Sequence, residues 1–565
     1  MSAMNSLDAV RVLDLSRVLA GPWCTQTLAD LGADVVKVER PGMGDDTRGW
    51  GPPFLKTADQ QDSAESAYFL GANRNKRSIT CDLSHPEGQA LIRQMVAKAD
   101  VLVENFKVGD MKRYGLDYAS LKLINPRLVY CSITGFGQTG PYQDRAGYDF
   151  AIQAMGGLMS VTGERDEAGG GPQKVGVAVA DLFTGMYATV AILAALRHAE
   201  RTGQGQHVDM ALLDTQVAML ANLGANHLVN EPLDLPPPKR MGNAHVNIVP
   251  YQVFETAPKA QDVRDFMIVA VGNDGQFAKL CECLGRSEWS TDPRFVRNQD
   301  RVRHREVLIP MLSAVIKERS KADLLSALQA AKVPCGPIND LGEVFQDPQV
   351  ISRQMVQAWN HPLRADLKLV ASPIKLSATP VQHKCPPPML GEHTASVLQD
   401  WLGMDSSKFV VRSPETPADW QLAADLVQEY ANQLGIDLSF QDFAQEQAHL
   451  AAHYAAPRGL FLCAYVGDEL AGCCGLRPLD EASDASACEM KRLYVRPAFR
   501  RFGLGRFLVE SLLEAAKDMG YACMLLDTLS DMEAARSLYQ DLGFEEVPPY
   551  YLSPIPGTHY LKATF

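Results

Sequence analysis

The chain has 565 residues, too many for a single hydrophobic core, so three or four folded units are expected. A hydrophobic share of 46% and a charged share of 21% are those of an ordinary globular protein, and a net charge of −13 argues against a general nucleic-acid role, which calls for a basic surface. The N-terminus lacks a signal-peptide pattern, no run reaches the roughly 18 apolar residues of a membrane span, and the cysteines form no C-x-x-C pair, so the expectation is a cytoplasmic protein with reduced, packed thiols.

In chain order, Val10 to Leu15 reads as a strand, Pro22 to Leu31 as a short helix and Ala33 to Glu39 as a second strand. That spacing is a βαβ unit, hence a parallel sheet. The loop from Arg40 to Asp45 follows a strand's carboxyl end, where α/β sheets bind ligands. Asn75-Lys76-Arg77-Ser78 reads as a basic turn, and Ser84-His85-Pro86-Glu87 as a capping box opening a helix to about Lys98. Val101 to Val103 and Arg127 to Thr134 are further strands, ending in Glu104-Asn105-Phe106 and Gly135-Phe136-Gly137. Lone arginines and lysines are usually solvated surface, but several cations beside strand ends and glycines suit a phosphate-bearing ligand.

The stretch from Lys174 to Met186 reads as a short apolar strand running into an apolar helix, with Asp181 at the junction. A helix apolar all round is usually buried. On this stretch alone Asp181 is more simply an N-cap than a nucleophile. Ala168 to Pro172, glycine-rich, is either a mobile lid or a plain loop.

Arg40-Pro41-Gly42, Asn75 to Ser78, Val103 to Phe106, Ile133 to Gly137, Ala180-Asp181, Thr202 to Gln206 and Leu390 to Thr394 occur in the order found in class III CoA-transferases. Residues 7 to 402 thus resemble the formyl-CoA and carnitine CoA-transferase group, which includes α-methylacyl-CoA racemases. The resemblance implies an α/β, Rossmann-like large domain over 1–225, a small α/β domain over 226–330, a return segment over 331–405, and an interlocked homodimer. It makes Asp181 the catalytic aspartate, working through an anhydride and an aspartyl-CoA thioester. It assigns the backbone of Val18 and Leu19, with Arg40, Lys76, Asn105, Phe106, Arg113 and Arg145, to coenzyme A, here a substrate. Racemases of the group carry a histidine where this chain has Tyr148, an ordinary phenol with pKa near ~10 and a poor base at neutral pH. That favours transfer, and racemase is the alternative. The stretch from Arg240 to Tyr251 lacks the glycine run of formyl-CoA transferases and is similar to the succinyl-CoA:dicarboxylate branch handling glutarate. Arg240, His245 and Asn247 there either hold a distal carboxylate or form a satisfied polar loop.

After a polar run from Asp405 to Lys408 the pattern restarts: a strand Phe409 to Arg412, a helix Asp419 to Gly435, a hairpin around Gly467-Asp468, and a strand Met490 to Val495 running into Arg500-Arg501-Phe502-Gly503-Leu504-Gly505 and a helix. A glycine turn between strand and helix lets backbone N–H groups cradle a pyrophosphate. With Ala535 to Phe544, residues 409–565 resemble the GNAT N-acetyltransferase family. The resemblance implies acetyl-CoA bound at Leu493, Val495, Arg500, Arg501, Gly503, Leu504 and Gly505, an unknown amine acceptor, and Tyr539 as the acid for the departing thiolate. Glu489, before the core strand, is a candidate base, or a solvated strand-end acid. A domain that senses acetyl-CoA without turnover is the alternative. His449 and His453 share a helix face near Glu446, but no third ligand pattern accompanies them, so no metal is expected. No nucleic-acid or membrane partner is expected.

Overall fold

The computed structural model describes every residue except 1–4, 58, 234–235, 261–262, 404–408, 435–441, 467–468, 480–485, 501–502, 531 and 552. The expected polar linker and the hairpin turn at Gly467-Asp468 therefore lie outside the described residues.

Strands Arg11–Asp14, Asp34–Glu39, Lys76–Thr80, Val101–Glu104, Val129–Thr134 and His207–Ala211 form a six-stranded sheet, parallel throughout. Val101, Leu102 and Val103 are all fully buried, as both faces of such a sheet are covered by helices. Arg11–Asp14 lies inside the sheet. The chain moves outward from it to Lys76–Thr80, then crosses back to Val101–Glu104 on the other side. The loops after Asp14 and after Glu104 therefore diverge, leaving the crevice where doubly wound sheets bind ligands. Helix Thr394–Leu402 returns to this sheet: Val397, Leu398 and Trp401 join its core, and Trp401 donates to Asp34 at 2.8 Å.

A second sheet contains Tyr251–Ala260, Val263–Ala270 and Cys335–Pro337, with its own core around Phe254, Phe277 and Leu312. It takes its last strand from the segment expected to turn back. A third sheet has seven strands, Ala487–Val495 being parallel to Cys523–Leu529 over Ala487 to Glu489 alone. Beyond Glu489 the two strands separate, opening a wedge.

Several local expectations change. Residues 174–178 form no strand; helix Val179–Thr202 begins after irregular backbone. This helix of 24 residues is long and apolar enough to cross a membrane by length and composition alone, although Asp181 and Arg197 bound its apolar run. One face packs on helix Ala20–Asp30 and the sheet, through Ala188, Ile192 and Ala195. The helix is nevertheless not wholly buried, because Phe183, Tyr187 and Val190 stand exposed on the other face. Ser84 forms no capping box: His85 is the N-cap and the Ser84 hydroxyl donates to Asp82.

The basic turn is in fact strand Lys76–Thr80, and this removes Lys76 from the expected CoA contacts. Its side chain is fully buried, and its ammonium donates to Asp14 at 3.0 Å, to the Pro22 carbonyl at 2.9 Å and to Asn73 at 2.8 Å. Burial lowers the Lys76 pKa to about 8 despite the opposing pull of Asp14. Lys76→Ala removes the ion-pair partner of the buried Asp14 and leaves it the Ser16 and Thr25 hydrogen bonds and the more distant charge of Lys37, so a loss of about 3–5 kcal/mol is expected in denaturant unfolding. A loss below about 1 kcal/mol would show that the pair carries no such weight.

Candidate active site

A cleft of about 780 Å³ opens at the sheet's crevice, lined by Arg17 to Ala20, Asn105 to Val108, Gln143 to Tyr148, Trp50 and Asp181. Val18, Leu19, Asn105, Phe106 and Arg145, expected from separate motifs, thus meet Asp181 in one cavity. Arg40 lines an adjoining cavity of about 350 Å³ that shares Arg17, Phe106 and Asp110 with the first. Arg113 is exposed, paired with Asp110 at 3.2 Å.

Asp181 sits in the first turn of helix Val179–Thr202, but it does not cap that helix. Asp149 does: its carboxylate accepts from the N–H of Ala180 at 2.8 Å and from that of Asp181 at 3.4 Å. The opening amides that would stabilise a negative Asp181 are therefore turned to another carboxylate. Burial first, and the negative Asp149 second, raise the Asp181 pKa to about 7. Asp149 is held by Gln153, which donates to it at 2.6 Å and accepts the Val175 N–H at 2.9 Å.

The sequence reading gives Asp149 no role; its partner lies 31 residues away, beyond any local pattern. Tyr68 was also missed. Burial, then the charges of Asp181 and Asp149, push its phenol up to about 12, and its ring meets Trp50 edge-on at 5.3 Å.

Val18, a β-branched residue, has a φ of +72°. Such a backbone costs on the order of 1–3 kcal/mol and persists where its surroundings impose it. Asn105 faces this turn rather than offering a free amide to CoA: it accepts the Arg17 N–H at 2.9 Å and donates to the Arg17 carbonyl at 2.7 Å. Of the expected substrate residues, none is among the described residues lining the cleft. Arg240 pairs with Asp166 and donates to the Glu164 carbonyl, joining its loop to the glycine-rich one. His245 accepts the Asn247 N–H at 3.0 Å, and the Asn247 side chain accepts from Asn226 at 3.1 Å.

In the seven-stranded sheet, a smaller cavity of about 100 Å³ lies where the strands separate. Tyr539, Leu493 and Asp527 line it. Burial holds the Tyr539 hydroxyl well above the ordinary phenol range, so it stays a proton donor. Glu489 is inside its strand, not before it, and is no free base: Arg477 at 2.9 Å, Lys491 at 3.0 Å and the Tyr550 hydroxyl at 2.7 Å surround it.

Gly503, at φ +77°, is the N-cap of helix Leu504–Asp518, whose first amides carry no side-chain cap. A Cβ on Gly505 would meet Val495 at 3.8 Å and Leu538 at 3.9 Å, ordinary contacts, so the protein's own packing does not demand a glycine there. Arg500 folds back onto the Val495 carbonyl at 2.7 Å and Gln433 at 2.7 Å instead of facing the turn. Arg501 lies outside the described residues. Glu446 is bound by Arg492 at 2.6 Å and the Tyr454 hydroxyl at 2.8 Å, so it is not free to join His449 and His453. Among the described residues no cluster suited to a metal is found.

The family model described as CoA-transferase family III matches residues 7–394, and that of the acetyltransferase (GNAT) family matches residues 423–544. A succinate–glutarate CoA-transferase of Agrobacterium fabrum is 51% identical over 402 residues, covering 70% of this chain and 95% of that protein. A human succinyl-CoA:glutarate CoA-transferase is 41% identical, covering 72% of this chain and 88% of the relative. The crystal structure of a CAIB/BAIF family protein from Brucella suis is 48% identical with a TM-score of 0.61, covering 70% of this chain and all of that one.

The raised Asp181 pKa has a testable sign. The folded protein binds a proton at Asp181 up to about pH 7, while an unfolded aspartate releases it near 4, so this group lowers stability as pH rises through that window. Asp181→Asn is therefore expected to raise the melting temperature at pH 8 and to change it little at pH 4. Asp149→Asn keeps an acceptor for the Ala180 N–H but removes the like charge, so carboxyl NMR of Asp181 is expected to titrate below 7 in that variant. An unchanged titration would show that burial alone sets the value.

Proposed function

Because the chain belongs to CoA-transferase family III and carries a C-terminal GNAT acetyltransferase domain, we propose that its first part moves CoA from succinyl-CoA to a free dicarboxylate such as glutarate, with Asp181 as nucleophile. The observation that carries this is the carboxyl of Asp181, aimed into a cleft at the sheet's crevice and made more basic than an ordinary aspartate. A more basic, desolvated carboxylate is the better nucleophile once ionised. Its oxygen attacks the thioester carbonyl, the C–S bond breaks, and CoA leaves as thiolate from a mixed anhydride. The thiolate then attacks the aspartyl carbonyl, releasing succinate and leaving an aspartyl-CoA thioester. The acceptor carboxylate repeats the sequence in reverse, so thioester activation is conserved without ATP. The named relatives support the choice of acids. The exposed apolar side chains Phe183, Tyr187 and Val190 support a homodimer.

For the second part we propose an acetyl-CoA-dependent N-acetyltransferase, with the amides at Gly503 to Gly505 receiving the pyrophosphate and Tyr539 protonating the departing thiolate. Asp527 also lines the cavity, but its carboxylate is paired with Lys491 at 2.6 Å, so neither it nor the enclosed Glu489 is a free base.

Succinyl-CoA added without acceptor is expected to leave a hydroxylamine-sensitive adduct on the peptide carrying Asp181. Its absence, together with rapid α-deuteration of a 2-methylacyl-CoA in D2O, would replace transferase by racemase. Gly505→Val is expected to abolish acetyl-CoA binding by the C-terminal domain and to leave CoA exchange intact; binding as in the wild type would overturn the pyrophosphate assignment.

A further inference from the structure

The two peptide groups that join Ser16, Arg17 and Val18 are held by the side chains of Lys37, Asn105 and Asp45. Lys37 donates to the Ser16 carbonyl at 3.0 Å. Asn105 accepts from the Arg17 N–H and donates to the Arg17 carbonyl. Asp45 accepts the Val18 N–H at 3.3 Å, and Lys37 fixes Asp45 in turn at 2.8 Å. Lys37 and Asp45 are almost wholly buried and bound to each other. The turn is tight from below as well: a Cβ on Gly21 would lie 2.2 Å from the Ser16 side chain. These groups surround Val18, which has a positive φ and lines the cleft.

We propose that Asn105, Asp45 and Lys37 form a clamp that holds Val18 in its left-handed conformation, so that the turn is set for the CoA thioester before it arrives. They are positioning residues, acting through the backbone of residues 16–18, and Asn105 in particular serves CoA indirectly. The inference rests on the reading of the cleft as the CoA site. Without the clamp a valine relaxes out of the left-handed region, whereas a glycine remains there without steric cost. This distinguishes a clamp from a direct contact: if Asn105 acts through Val18, a glycine at 18 compensates for its loss, and if Asn105 touches CoA, it does not.

The test uses the full-length protein with succinyl-CoA as donor and glutarate as acceptor. Asn105→Ala is expected to raise KM for succinyl-CoA about tenfold with kcat changed less than about twofold, and addition of Val18→Gly to recover most of that loss. Asn105→Asp, which keeps the acceptor for the Arg17 N–H, is expected to fall between, and serves should the alanine variant not fold. A double variant as impaired as Asn105→Ala would overturn the clamp. Hydrogen exchange needs no ligand: the peptide spanning residues 15–20 is expected to exchange faster in Asn105→Ala, and unchanged exchange would also overturn the proposal. If the wild type itself transfers no CoA from succinyl-CoA to glutarate, the functional reading fails, while the exchange measurement still decides the clamp.

Discussion

The state of Asp181 turns on which carboxylate receives the opening amides of helix Val179–Thr202. Two aspartates compete for them, and Asp149 takes them. Asp181 is left half-buried beside a like charge, without the hydrogen bonds that would make its anion comfortable. A capped aspartate is a stable and unreactive one. The same helix end, with its cap supplied by a neighbouring loop, holds a carboxyl whose basicity suits attack on a thioester. Gln153 fixes the arrangement by binding both Asp149 and the backbone of Val175 on the approach to the helix.

Beneath the cleft lies a layer of charges from adjacent strands. Lys76 with Asp14, and Lys37 with Asp45, are paired out of contact with water, while Arg48 binds Glu39 at 2.7 Å and also holds Glu65. Buried pairs of this kind contribute little net stability over an apolar core but are costly to break singly. Here they fix the geometry of the first sheet's carboxyl-end loops. The strained turn at Val18 is one product of that rigidity.

The cavities of the two parts arise differently. In the six-stranded sheet the ligand cleft comes from the reversal of strand order, and cations such as Arg40 stand at its side. In the seven-stranded sheet the cavity comes from two parallel strands that pair over Ala487 to Glu489 and then part, with an uncapped helix N-terminus beside them. There Arg500 is engaged by the Val495 carbonyl and Gln433, and the helix that begins at Leu504 carries no side-chain cap.

The sequence by itself determined the βαβ start and the family of each part, because these rest on local periodicity, glycine turns and short motifs. It misread the role of side chains whose partners are remote. Lys76 looked like a phosphate ligand until Asp14, 62 residues away, neutralised it in the core. Glu489 looked free until Tyr550, 61 residues on, closed over it. Asn105 looked like a CoA contact until both of its amide atoms were found on Arg17, 88 residues earlier. The apolar helix looked uniformly buried because hydropathy records what a face is made of and not what covers it. Only tertiary structure decided these points, since a polar side chain's availability depends on which groups the fold brings within about 3 Å of it, and that distance has no counterpart in a local pattern.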